Sequence, residues 1–255
     1  MELSGQVVAL TGGTSGIGRA TVDYLRSAGA EVALIARDPK KAARVASESG
    51  AVRFVADVTD EAAMIRAFDG IFERWGRLDG VIANAGLNIP EGLVHNVSTE
   101  IYEQVIATDV RGTFFTVREA LARMVPSGRG GSVVCVSSVM AHGGIPGGGS
   151  VYTAAKGAVE SFVRSVAIDY APHGIRCNAI APGAIETEMM WVTVAPEQVG
   201  PMREVLHREI PLGRLGTPLD IAKAIAWLVS SDSDYVTGTT LLVDGGVRAR
   251  LILSV

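Results

Sequence analysis

Tyr152 and Lys156 stand four residues apart at the start of a stretch, Tyr152 to Tyr170, with helical apolar spacing, so phenol and amine share one face. A phenol with an ordinary pKa of about 10 can give a proton but is a poor base, and a neighbouring ammonium favours its phenolate, each tenfold gain in ionisation corresponding to about 1.4 kcal/mol. Solvated helix faces carry the same spacing, so the pair means little alone. Ser137 and Ser138 end the apolar run that begins at Ser132, and a hydroxyl there could hydrogen-bond a substrate oxygen that is gaining charge. Nearer the start, Thr11-Gly12-Gly13-Thr14-Ser15-Gly16-Ile17-Gly18 lies between an apolar run and a helical pattern, where backbone N–H groups and a helix N-terminus can receive a pyrophosphate. The spacing G-x-x-x-G-x-G differs from the usual G-x-G-x-x-G, and no Lys follows as a P-loop needs. Any tight strand-to-helix turn could use the same glycines.

These residues need a scaffold, and the apolar pattern supplies one. Short apolar runs at Gln6 to Leu10, Glu31 to Ala36, Ala51 to Ala56, Gly80 to Ala83, Ser132 to Ser137, Ile175 to Ile180 and Thr240 to Val243 read as strands. Between them lie helical patterns: Ile17 to Ala28 ending at Gly29, Asp38-Pro39 to near Gly50, Thr59 to Trp75, Thr99 to Val125, Tyr152 to Tyr170, and Leu219 to Leu228. Strands apolar on both faces and separated by helices call for a doubly wound, about seven-stranded parallel sheet covered on both sides. No linker or composition shift divides residues 1–255, which read as a single domain, and Pro182 to Thr217 reads as a functional loop with short helices.

Composition narrows the function. In 255 residues, 48% hydrophobic, Lys+Arg 23 stand against Asp+Glu 27 for a net charge of -4, enough for a sizeable core and without the basic footprint of a nucleic-acid binder. No apolar run approaches the roughly 18 to 20 residues of a membrane span. Met1 to Leu10 lacks the basic start and cleavage site of a secretory signal. Cys135 and Cys177 read as two reduced thiols, which with the missing signal points to the cytoplasm. His95, His142, His173 and His207 show no metal-ligand spacing, and no metal is expected.

In order and spacing, T-G-G-T-S-G-I-G, Asn84-Ala85-Gly86 and Tyr152-Thr153-Ala154-Ala155-Lys156 resemble the single-domain short-chain dehydrogenases/reductases. The resemblance covers nearly the whole chain, through Asp57 after the third strand, Pro182-Gly183 followed by Thr187, and the closing Val243-Asp244-Gly245-Gly246. It implies a Rossmann fold in which Gly12, Gly16, Ile17 and Gly18 wrap the cofactor phosphates, with Thr14 and Ser15 among them. Asp57 and Val58 would flank the adenine, Asn84, Ala85 and Gly86 would line the cleft, and Thr187 would hold the nicotinamide carboxamide near Pro182, Gly183 and Ile185. By the same resemblance Tyr152 is the general acid/base, Lys156 its electrostatic tuner and ribose contact, and Ser138, in preference to Ser137, the oxygen-binding serine. Ser138 and Tyr152 stand about one residue further apart than usual, the extra residue falling in Gly147-Gly148-Gly149.

Two positions depart from the simplest pattern. The second strand ends Ile35-Ala36-Arg37-Asp38, with Ala where NAD-preferring members carry an acid and with Arg37 placed for a 2′-phosphate, so NADP(H) is favoured and NAD(H) stays possible beside Asp38. Asp109, in Asp109-Val110-Arg111-Gly112, occupies the place of the family's Asn, which supports a water-mediated relay to the Lys. A carboxylate there favours the ammonium and adds negative charge near the tyrosine, predicting a working relay with altered pH dependence, or else a slow enzyme or a non-catalytic cofactor-binding scaffold.

The resulting expectation is an NADP(H)-dependent oxidoreductase interconverting a ketone and a secondary alcohol. Sugar-nucleotide epimerases need a further substrate domain, and enoyl reduction does not use the Ser138 pattern. Val139 and His142 are placed to line the substrate pocket, and Met189, Met190 and Trp191 read as either core or a mobile apolar lid, which would suit a substrate with an apolar body. Val159, Phe162, Val163 and Val166 offer more apolar surface than one sheet face needs, and with the tail Leu251-Ile252-Leu253 they suggest a homodimer or homotetramer.

Overall fold

The computed structural model describes residues 3–89, 92–191 and 194–250. Among them seven strands, β1 (Val7–Thr11), β2 (Glu31–Ala36), β3 (Val52–Val55), β4 (Gly80–Ala83), β5 (Gly131–Val136), β6 (Ile175–Pro182) and β7 (Thr240–Val243), form one parallel sheet in the order β3-β2-β1-β4-β5-β6-β7. The helices are α1 (Gly16–Ser27), α2 (Pro39–Ser49), α3 (Glu61–Trp75), α4 (Thr99–Val105), α5 (Gly112–Ser127), α6 (Ser150–Tyr170), α7 (Glu188–Trp191), α8 (Pro196–Glu209) and α9 (Pro218–Val229).

Strand side chains alternate between two cores. Val7 and Ala9 of β1 join Phe68 and Ile71 of α3, Phe115 of α5, and Val159 and Val163 of α6. Val8 and Leu10 join Val22 and Leu25 of α1, Val45 of α2, and Ile221 and Ile225 of α9. Each fully buried side chain of this size contributes about 1.5–3 kcal/mol, and burial on both faces is why the inner strands β1, β2, β4, β5 and β6 read as continuous apolar runs, while the edge strands β3 and β7 keep one face exposed or half-buried. Strand order reverses between β1 and β4, which opens a crevice at their carboxyl ends where a doubly wound sheet binds its ligand.

Several elements differ from the sequence expectation in ways that shape the site. The stretch from Thr99 is two α-helices joined by a π turn, Ile106–Arg111, with Asp109 buried inside it. Pro182 to Thr217 holds a helix of 14 residues, α8, whose Gly200 and Pro201 break the helical signal in the sequence. α9 starts on a capping box, Thr217 with Asp220, and α6 starts at Ser150 after Gly147, Gly148 and Gly149. The outward apolar face expected on α6 is corrected, because Val159, Val163 and Val166 are buried against the sheet of their own chain and only Phe162 reaches the surface. Leu251 to Leu253 lie outside the described residues, as do Val192 and Thr193.

Candidate active site

Lys156 is buried where β4, β5 and α6 meet. Its Nζ lies 3.0 Å from Asp109 Oδ2, donates to the Val136 carbonyl at 3.1 Å, and stands 5.4 Å from the centroid of the Tyr152 ring. Asp109 is fully buried in the π turn, a distortion frequent at functional sites, and its Oδ1 accepts the backbone N–H of Leu87 at 2.7 Å. Gly86 closes over the pair: a methyl there would lie 3.2 Å from Lys156 Nζ and 3.3 Å from Asp109 Oδ2. Burial opposes the ammonium, but the charge of Asp109 and then that of Tyr152 outweigh it, and the Lys156 pKa stands above the ordinary lysine value. Asp109 therefore touches Lys156 directly, where the resemblance implied a water-mediated relay.

Ser137 and Ser138 follow β5 and point to different jobs. Ser137 is buried, and its Oγ donates to Glu160 Oε1 at 2.8 Å and reaches the Lys156 carbonyl at 3.3 Å. Ser138 is half-buried and caps the 3-10 turn Val139–His142 by accepting from Met140 N at 3.2 Å. His142 is exposed, and its Nε2 lies 3.1 Å from Glu160 Oε1. His95, His173 and His207 are exposed.

The crevice end is built from backbone. Gly12 takes φ +73 and packs on Ala85, while a methyl on Gly18 would collide with the Gly12 carbonyl oxygen, so neither accepts a side chain. Asn84 holds this turn, its Nδ2 donating to the carbonyls of Thr11 and Gly12 at 3.1 Å each, so its amide is spent on the scaffold. Ser15 is the N-cap of α1 without using its hydroxyl to cap it, and the first turn carries no acid. Gly16 faces Thr187, whose Cγ2 would lie 3.3 Å from a methyl on that glycine, and Thr14 and Ile17 are half-buried beside it. Asp57 Oδ1 accepts from both the N–H and the hydroxyl of Thr59, at 2.9 and 2.8 Å. Val58 packs on Gly112, Gly183 packs on Asp244, Pro182 pairs with Val243, and Ile185 bridges to Gly216. Arg37 is exposed with no ion pair among the described residues, while Asp38 is turned into the start of α2, accepting from Lys40 N and Lys41 N at 2.9 and 3.0 Å.

A family model described as enoyl-(acyl carrier protein) reductase matches residues 12–248. The A-factor type gamma-butyrolactone 1′-reductase (1S-forming) of Streptomyces virginiae is 36% identical over 251 residues, 96% of each chain. This chain belongs to the short-chain dehydrogenase/reductase family. Among solved structures, levodione reductase is 34% identical with a TM-score of 0.91, covering 98% of this chain and 100% of that one. A 3-ketoacyl-(acyl-carrier-protein) reductase from Brucella melitensis, complexed with NADH, is 31% identical with a TM-score of 0.89, covering 96% and 99%. The relatives of this chain are mostly named as dehydrogenases and reductases.

Against the short-chain dehydrogenase/reductase pattern, the sequence reading missed Glu160, whose signal was an acid one turn beyond Lys156 between the core residues Val159 and Val163. It also missed the Leu87 N–H and the Val136 carbonyl, which are backbone groups without a side-chain signature. The Met189 to Trp191 segment is not core: no residue of α7 is buried, and Trp191 Nε1 donates to Glu186 Oε1 at 2.9 Å beneath the Arg203 guanidinium.

Because its folded pKa is raised, Lys156 contributes stability that is fully present below the ordinary lysine pKa and is lost as pH rises through the raised value. Asp109→Asn keeps the shape and removes the counter-charge, and melting curves at neutral pH should show a loss of about 3 kcal/mol that shrinks once lysine can deprotonate. A loss that stays constant from neutral pH to above the lysine range would contradict a charged pair.

Proposed function

We propose that this protein is an NADP(H)-dependent oxidoreductase that interconverts a ketone and a secondary alcohol, with Tyr152 as general acid/base. The observation that carries this reading is the Lys156–Asp109 pair buried beneath the Tyr152 ring, with the serine segment of β5 tied to the same helix. In the reducing direction the Tyr152 O–H gives its proton to the substrate oxygen, and the phenolate left behind faces an ammonium that Asp109 keeps charged. Ser138 donates a hydrogen bond to the same oxygen as negative charge develops on it. The bound nicotinamide supplies or accepts the hydride. In the oxidising direction Tyr152 takes the proton back from the alcohol, and the negative charge of Asp109 tempers how strongly Lys156 assists, which gives the altered pH dependence.

The crevice fits a dinucleotide. An α1 N-terminus with no acid in its first turn and no side-chain cap suits a pyrophosphate, and Gly12, Gly16 and Gly18 leave the backbone open to it. Asp57 and Val58 take the adenine side; Asn84, Ala85 and Gly86 form the floor; Pro182, Gly183, Ile185 and Thr187 take the nicotinamide side. Arg37 takes the 2′-phosphate, supported by its lack of an acidic partner among the described residues and by the commitment of Asp38 to α2. Lys156 adds contacts to the nicotinamide ribose.

Exposed Leu93, Val94, Ile145, Met189 and Leu212 all lie on segments after the carboxyl ends of β4, β5 and β6, which supports a substrate with an apolar body under a lid formed by α7. Reaction at a carbonyl, not at an enoyl bond, is supported by the placement of Ser138 and by the reductase and dehydrogenase names of the relatives. Two free buried thiols suit the reducing cytoplasm; a hydrogen bond with Cys135 and burial push the Cys177 thiol up. No described helix is long and apolar enough to cross a membrane.

An apolar groove between the π turn and α6, lined by Ile106, Val110, Phe114, Ala158 and Phe162, supports a homodimer or homotetramer. Sedimentation at micromolar concentration should give a dimer or larger species, and a monomer would overturn that assignment. Fluorescence titration should show NADPH binding at least about tenfold tighter than NADH, a difference near 1.4 kcal/mol, with Arg37→Asp reversing the order. Equal affinities unchanged by the substitution would remove Arg37 from the cofactor site, and binding of neither dinucleotide would leave a scaffold in place of an enzyme.

A further inference from the structure

Glu160 lies one turn beyond Lys156 on the same face of α6 and is only 6% exposed. Its Oε1 accepts the Ser137 hydroxyl at 2.8 Å and lies 3.1 Å from His142 Nε2. Ser137 and His142 are the two ends of the segment 137–142, which carries Ser138 and the 3-10 turn between them. A single carboxylate oxygen thus ties down both ends of the serine segment. Below it, the same helix also holds the residue just before the segment, through Lys156 Nζ on the Val136 carbonyl at 3.1 Å.

The chemistry of Glu160 makes this more than packing. A carboxylate removed from water is costly unless its oxygens are satisfied, and an aliphatic side chain between Val159 and Val163 would fill the space without that cost. Both of its observed partners belong to the serine segment. The single 3-10 turn Val139–His142 does not fix its own position against a neighbouring helix, and beyond it the chain runs into Gly143 and Gly144.

We propose that Glu160, together with His142, is a positioning residue for Ser138. It clamps the end of β5 and the 3-10 turn onto α6, so that the Ser138 hydroxyl and the Tyr152 phenol meet one substrate oxygen in fixed register. The inference rests on the roles proposed above for Ser138 and Tyr152. Neither Glu160 nor His142 is given a contact with substrate or cofactor; both act through the serine segment.

The test compares Glu160→Leu, Glu160→Gln, His142→Ala, Ser137→Ala and Tyr152→Phe in NADPH-coupled reduction of the best substrate from a panel of aryl and alkyl methyl ketones, with NADPH affinity measured separately by fluorescence. A displacement of about 1 Å at the reacting groups can cost about 100-fold, so Glu160→Leu should lower kcat by roughly 30-fold and His142→Ala by roughly fivefold, at unchanged NADPH affinity. Glu160→Gln still accepts from Ser137 and should restore kcat to within about threefold of the parent. Should Glu160→Leu lose NADPH binding through misfolding, His142→Ala and Ser137→Ala decide: a fall in kcat at unchanged NADPH affinity supports the clamp. Parental kcat in the clamp variants, beside an inactive Tyr152→Phe, overturns the positioning role alone. An active Tyr152→Phe overturns the reading of the site on which it rests.

Discussion

A lysine ammonium taken out of water needs a counter-charge close by, and Lys156 has one 3.0 Å away in a carboxylate that is itself fully buried. Each group offsets the other's cost of burial, so three separate parts of the chain arrive together. The π turn delivers Asp109, the loop after β4 delivers Gly86 and the Leu87 N–H, and α6 delivers Lys156 under Tyr152. The Val136 carbonyl at the end of β5 completes the shell. In the proposed mechanism, chemistry at the phenol depends on this pair being assembled, because the charge that would stabilise a phenolate is the charge that Asp109 retains.

The sheet makes that convergence possible. Parallel strands place the loops after β1, β4, β5 and β6 at one end, and the two cores on either side of the sheet fix the helices whose first turns face the crevice. Backbone and side chain divide the labour there. The carbonyls of the turn after β1 are satisfied by Asn84 from below, while the serine segment after β5 is held by side chains of α6.

Much of this was readable from residue order alone. Apolar runs located all seven strands, the inner ones because burial on both faces leaves no polar alternation, and the glycine turn, Asn84-Ala85-Gly86 and Tyr152 with Lys156 were the residues the sequence singled out for the site. What stayed hidden depended on distance and on which way a side chain turns. Asp109 was singled out, yet its direct contact with Lys156 follows from the widened helical turn, which leaves no trace in composition. Glu160 and His142 are eighteen residues apart and meet only once the loop of Gly143 to Gly149 folds back, as their positions show. Val159, Val163 and Val166 looked like surplus apolar surface because the sequence does not show how wide a stripe of α6 the sheet covers. α8 was obscured by Gly200 and Pro201, and the capping box of Thr217 with Asp220 went unread although its spacing is local.

Asp109 holds Lys156 as an ammonium, and the protonation of the Lys156 side-chain nitrogen reports this most directly. In protein carrying 15N-labelled lysine, with Lys156 assigned by comparison with Lys156→Arg, NMR titration through the alkaline range should show this nitrogen still protonated where exposed lysines have begun to deprotonate. A Lys156 resonance that loses its proton at or below the pH of the exposed lysines would show that Asp109 does not hold the charge, and the site would lack the fixed positive charge on which the proposed acid/base role of Tyr152 depends.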